Sequence, residues 1–158
     1  MQPRINYLKI DSGAMKAING IGDYVNNSGL ERSLLDLMLV RASQINRCAY
    51  CLDMHTKDAR ASGETEQRLY SLDAWRETPF YSDRERAALA WTEAVTLLSE
   101  NGVSDELYAE VQQHFSEDEI VKLTMAVIAI NSYNRLNVSV RAVPGHYKSQ
   151  RKPVAQSA

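Results

Sequence analysis

Apolar residues recur along most of this chain at intervals of three and four. Between Ala14 and Val25, Met15, Ile18, Ile21 and Val25 form the stripe of an amphipathic helix, and the NNSG that follows ends it. Ser28 to Glu31 has the S-x-x-E form of a capping box, which predicts a helix from about Leu30 to Ile45. Asn46 and Arg47 read as a turn. Cys48 to Ala61 reads as the next helix, ending near Gly63 as a left-handed residue just past its end.

ETEQRLYSLDAW is a short amphipathic piece, followed by a loop at Thr78 and Pro79. A second capping box, Ser82 to Glu85, opens RERAALAWTEAVTLLSE, which Asn101 and Gly102 close. Ser104 caps a helix over Glu106 to Phe115, with Asp105 and Glu106 favourable near its positive end. A third box, Ser116 to Glu119, precedes a long helix to about Arg141. Its LTMAVIAI stretch is apolar almost all round, as expected of the central helix. The tail after Pro144 and Gly145, HYKSQRKPVAQSA, is polar and basic and reads as a frayed or partner-dependent terminus. With four prolines, seven glycines and no sustained apolar-polar alternation, the fold class is all-α.

The length of 158 residues and a 44% hydrophobic content suit one domain over 1–158, with a core over about 14–141 and the tail at 142–158. The formal net charge of -2 and the scattered basic residues exclude the footprint of a nucleic-acid binder. The longest apolar run, Met125 to Ile130, is too short to span a bilayer, and the N-terminus lacks the apolar stretch of a signal peptide. No membrane partner and a cytoplasmic location are expected. In a reducing compartment a purely structural disulfide would not persist.

Candidate chemistry is concentrated in NRCAYCLDMHTKDAR, residues 46–60, which holds both cysteines as C-x-x-C-x-x-x-H. On a helix Cys48, Cys51 and His55 share one face. An imidazole one turn from Cys51 can take the thiol proton, and a helix N-terminus favours thiolate over thiol. Three readings stand at this point: a reactive dithiol, a zinc site, and two buried cysteines acting as small hydrophobes. Structural zinc normally takes four ligands, and this stretch offers three. No glycine-rich phosphate loop or nucleotide fingerprint occurs, so no cofactor is expected.

LLDLMLVRASQINRCAYCLDMHTKDARASGE, residues 34–64, closely resembles the core of the alkylhydroperoxidase D (AhpD)-like group of the carboxymuconolactone decarboxylase superfamily. The resemblance continues through YVNNSGLERSLL, LDAWRETPFYSDRERAALAWTEAVT and HFSEDEIVKLTMAVIAINSYNRLNVSVR. It implies an all-α bundle that assembles as a homo-oligomer, trimer or hexamer. It also implies a thiol peroxidase that reduces organic hydroperoxides and is reset by an external dithiol donor, lipoamide- or thioredoxin-like. The family motif carries a carboxylate twelve positions before the first cysteine, which falls here on Asp36. The resemblance then assigns Cys51 as attacking residue, Cys48 as resolving residue, and His55 with Asp36 as a proton relay. Asp36 stands where the family usually has glutamate. Being one methylene shorter, it is expected to reach His55 through a bridging water. Tyr50 stands where the best-known members carry another histidine, and a packing or substrate contact is expected of it.

The alternative within this fold is a disulfide reductase or redox-sensing partner protein. Lactone decarboxylation, the namesake activity, does not rely on a C-x-x-C pair. Arg41 and Arg60 are candidates for bridging an assembly. Asn131, Asn134 and Arg135 are candidates for lining the site, an interface or buried polar contacts. Trp75 and Trp91 read as core or interface residues.

Overall fold

In a computed structural model, residues 1–100 and 102–151 are described. The elements are α1 (Tyr7–Ile10), α2 (Ser12–Asn26), α3 (Arg32–Ile45), α4 (Ala49–Ala61), α5 (Glu66–Ser71) running into a 3₁₀ turn (Leu72–Glu77), α6 (Asp83–Thr96), α7 (Asp105–Gln112) and α8 (Glu117–Val140). No strand occurs among the described residues. The fold is the all-α bundle expected. No helix among these residues is long and apolar enough to cross a membrane.

Local chemistry accounts for most helix starts. The boxes at Ser82 and Ser116 both form, each serine accepting from the backbone N–H three residues on while Glu85 or Glu119 accepts from the serine N–H. Ser104 caps α7 by accepting from Leu107 N. The box expected at Ser28 does not form. Ser28 Oγ accepts instead from Leu30 N, Gly29 adopts φ 86, and α3 begins two residues later than expected, at Arg32. Glu31, the supposed box partner, is drawn to Arg84 of α6 at 2.9 Å. A tertiary ion pair has displaced a local cap.

Helix α6 ends at Thr96, short of the expected end, and Asn101 of the proposed terminator lies outside the described residues. Gly63 has φ 97, the left-handed conformation expected just past α4. The four-residue α1 was not legible in the periodicity, being shorter than the window that reveals it.

Helices α3 and α8 form the centre. The interior is divided between two apolar clusters that both draw on α3 and α6. One joins Leu34, Leu35 and Met38 to Trp91, Leu123 and Val127. The other joins Leu37 and Val40 to Leu72, Trp75 and Leu89. Because α3 is packed on several sides, its polar residues cannot all reach water. Asp36 is 1% exposed and Ser43 fully buried. That confinement leaves Asp36 to find a partner within the fold, Arg151.

Candidate active site

The turn between α3 and α4 sets where the cysteines lie. Arg47 takes a left-handed conformation (φ 52), and Asn46 Nδ2 donates to the Oδ1 atoms of Asn131 and Asn134 on α8 at 3.0 Å each. Asn134 Nδ2 in turn donates to Ser43 Oγ at 3.2 Å. These asparagines thus satisfy buried polar groups and pin the turn to the central helix. Cys48 follows as the N-cap of α4, its Sγ accepting from the backbone N–H of Cys51 at 3.4 Å.

Cys48 and Cys51 are joined as a disulfide, with 1% and 0% exposure. His55, one turn further along α4, is likewise buried. Its two ring nitrogens have no hydrogen-bond partner among the described residues, and burial is the main reason its pKa falls to about 4, with Asp58 opposing and Arg151 assisting the fall. At neutral pH the imidazole is therefore uncharged and able to accept a proton. His55 stands in the wall of a cavity of about 720 Å³, together with Met54, Asp58, Tyr133, Tyr147 and Arg151.

Asp36 makes no direct hydrogen bond to His55. Its Oδ2 accepts from Arg151 at 2.6 Å, and its Oδ1 has no partner among the described residues. Burial pushes its pKa up, and Arg151 opposes that rise. No direct carboxylate-imidazole hydrogen bond forms, and the carboxylate is held by an arginine from the C-terminal tail.

Arg151 and Tyr147 were not singled out in the sequence because they sit in the polar tail. Residues 145–151 instead run along α4. Gly145 N donates to Asp53 (3.0 Å), Lys57 Nζ to the Tyr147 carbonyl (3.1 Å), and Tyr147 Oη to Asp58 (2.9 Å). Arg151 also donates to Ser62 Oγ at 2.8 Å and lies 3.8 Å from Asp58. Burial and the Asp58 contact raise the Tyr147 phenol to about 12, so it remains a donor. The rest of the tail, 152–158, lies outside the described residues. Asp58 did carry a signal. It follows Cys51 by seven residues and so lies two turns on along the same face of α4.

The other candidates are placed within the chain. Arg41 pairs with Glu93 and Asp73, and Arg60 with Glu66. Trp75 is core and donates its indole N–H to Glu93 at 2.9 Å. Arg135 bonds Asn131, and Tyr50 is half-buried beside the cysteines. Among the described residues no group of three or more His, Cys, Asp or Glu side chains is placed to hold a metal ion.

Residues 13–94 match the model of the carboxymuconolactone decarboxylase family. The uncharacterized protein YdfG of Bacillus subtilis is 43% identical over 140 residues, covering 89% of this chain and 95% of that one. A crystal structure of an Agrobacterium tumefaciens protein of unknown function, suggested to be the antioxidant defence protein AhpD, superposes with a TM-score of 0.89 at 43% identity. It covers 92% of this chain and all of the other. The AhpD core of a peroxidase-related protein from Ralstonia eutropha shares the fold, with a TM-score of 0.78 at 18% identity over 91% of this chain and 77% of that one. The family-model match over more than half of the chain and the likeness to the Agrobacterium protein at 43% identity, with the cysteine pair at the start of one helix of the shared bundle, place the chain in the carboxymuconolactone decarboxylase family, within its AhpD-like group.

Proposed function

We propose that the protein is a cofactor-free thiol peroxidase for organic hydroperoxides. The observation that carries this reading is the Cys48–Cys51 pair at the start of α4 with an uncharged, unpartnered imidazole one turn away in a cavity wall. In the reduced protein His55 accepts the Cys51 thiol proton. The thiolate attacks the outer peroxide oxygen, the O–O bond breaks, and the departing alkoxide takes the proton back from the imidazolium. Cys51 is then a sulfenic acid. Cys48 attacks its sulfur, water leaves and the disulfide forms. An external dithiol, lipoamide- or thioredoxin-like, reduces it by exchange. The sum is one hydroperoxide and one dithiol giving alcohol, water and a disulfide. Asp36 acts on His55 at one remove, through water or through the Arg151 guanidinium that it holds.

Organic peroxide consumption by reduced protein with excess dihydrolipoamide tests this. Turnover is expected in the wild type and is lost in Cys51→Ser; equal turnover in both would overturn the assignment. After one equivalent of peroxide, mass spectrometry separates the roles. Cys48→Ser accumulates sulfenic acid, while Cys51→Ser stays unoxidised; the reverse pattern exchanges them.

The Asp36–Arg151 ion pair, formed in place of a carboxylate-imidazole bond, favours one other reading: a disulfide reductase or redox sensor with no peroxide turnover. A sensor changes its assembly on oxidation, which size-exclusion chromatography of the two redox forms would detect.

A further inference from the structure

The mechanism above leaves one buried polar group beside the sulfurs without a role. Asn137, in the last turns of α8, is 5% exposed, and its Nδ2 donates to Cys51 Sγ at 3.6 Å. Its other amide atom, Oδ1, accepts from Tyr7 Oη of α1 at 3.1 Å. An amide can present either its oxygen or its nitrogen to a neighbour. The sulfur, which as disulfide or thiolate can only accept, takes the nitrogen, and the phenol holds the amide in that orientation by donating to Oδ1. Burial and Tyr50 raise the Tyr7 pKa, so the phenol keeps that hydrogen at physiological pH.

The N-terminal segment is itself clamped onto the end of α8. Arg4 N donates to the Val140 carbonyl at 2.8 Å, and Arg4 Nη1 to the Ser139 carbonyl at 2.9 Å. The arrangement is therefore braced from both sides of Asn137.

We propose that Asn137 is a catalytic residue that stabilises the Cys51 thiolate through its amide N–H, with Tyr7 as the positioning residue that fixes the amide orientation. The inference rests on Cys51 being the attacking residue. A hydrogen bond to an ionised acceptor is stronger than one to the neutral thiol, so the donor shifts the equilibrium toward the reactive form. The need is acute because Cys51 is fully buried, and burial in apolar surroundings disfavours thiolate. Each sulfur has its own donor: Cys48 takes the Cys51 backbone N–H of the helix start, and Cys51 takes Asn137. Among the described residues the ionisable groups that the chain or its hydrogen bonds bring toward Cys51 are Cys48 at the N-cap, Tyr50 and His55 on α4, and Tyr7 of α1 through Asn137. Changing Asn137 leaves the three α4-end groups in place and removes only the acceptor of the Tyr7 phenol, which stays protonated and uncharged.

The test titrates Cys51 as the chain's single thiol in a Cys48→Ser background, where serine retains the N-cap. Thiolate absorbance near 240 nm (about), or iodoacetamide reaction rate, is followed against pH. Asn137→Ala is expected to raise the midpoint by about one pH unit, a roughly tenfold loss of thiolate at a fixed lower pH. Asn137→Asp raises it further, by placing a carboxylate against the sulfur. Tyr7→Phe, which deletes one oxygen and keeps the ring, raises it less and serves if the Asn137 variants unfold. A midpoint within about 0.2 unit of the parent in Asn137→Ala, or in Tyr7→Phe if the former does not fold, would overturn the proposal and leave Asn137 an anchor for the N-terminal segment. The titration needs no peroxide. Shifted midpoints without wild-type turnover would refute the peroxidase and keep the amide-thiolate interaction; turnover with unshifted midpoints would do the opposite.

Discussion

Replacing Arg151 by methionine removes the partner of a carboxylate that is almost wholly enclosed. The Asp36 side chain is 2% exposed and that of Arg151 25%, with 2.6 Å between donor and acceptor. A fully exposed pair of this kind contributes about 0–1 kcal/mol. Breaking a fully buried one costs about 3–5 kcal/mol, because the remaining charge is left without compensation. With one partner enclosed and the other at the rim, Arg151→Met is expected to lose about 2–3 kcal/mol at pH 7, read by urea unfolding at fixed protein concentration.

The loss also carries a pH signature. Burial already raises the Asp36 pKa in the folded state, and Arg151 holds that rise in check. Without the arginine the folded pKa rises further. A group whose folded pKa is raised contributes stability at low pH that is lost as pH rises through that pKa, so the deficit of the variant shrinks on acidification. Asp36→Asn in the Arg151→Met background removes the stranded charge and recovers most of the loss. A deficit under about 0.5 kcal/mol, or one indifferent both to pH and to Asp36→Asn, would refute the buried-pair account.

Two further outcomes follow from the same physics. Because burial holds the folded pKa of His55 at about 4 against an ordinary 6.5, the unfolded chain binds a proton first on acidification, and about 3 kcal/mol of stability present above pH 6.5 is lost as pH falls toward 4. His55→Gln lacks this component, so the stability difference between wild type and variant should change by that amount between pH 7 and pH 4; parallel pH profiles would contradict a buried neutral imidazole. Ser116→Ala removes the acceptor for Glu119 N in the first turn of α8 and should lower stability by about 1 kcal/mol in thermal or urea unfolding, whereas Ser28→Ala, which loses only a long 3.4 Å contact to Leu30 N, should change it by less than half as much.

These expectations divide according to how far apart in the chain the interacting groups lie. Helical periodicity and the Ser82 and Ser116 boxes were legible because each depends on residues three or four apart, whose geometry the helix itself sets. The same local rule failed at Ser28, where Glu31 had a stronger partner in Arg84, more than fifty residues away. Within the candidate site, Cys48, Cys51 and His55 could be grouped from the sequence because α4 and its N-cap alone align them. Asp36 was singled out through the family motif, yet the periodicity of α3 gave no warning that packing would seal it from water. Arg151 escaped notice because its tail looks like any solvated basic terminus until the buried carboxylate it reaches is known. Asn137 and Tyr7 escaped notice because neither is close to the cysteines in the chain.

By itself the sequence determined the all-α class, most of the helices, the family and the helical face that carries the dithiol and its histidine. All of these follow from short-range spacing or from a local motif. The tertiary structure alone decided which charges are buried, that Asp36 pairs with Arg151 rather than His55, and that an amide from α8 points at the Cys51 sulfur. Such choices are made by desolvation: when the helices close, each enclosed polar atom bonds to whatever donor or acceptor the packing brings within reach, at any separation along the chain.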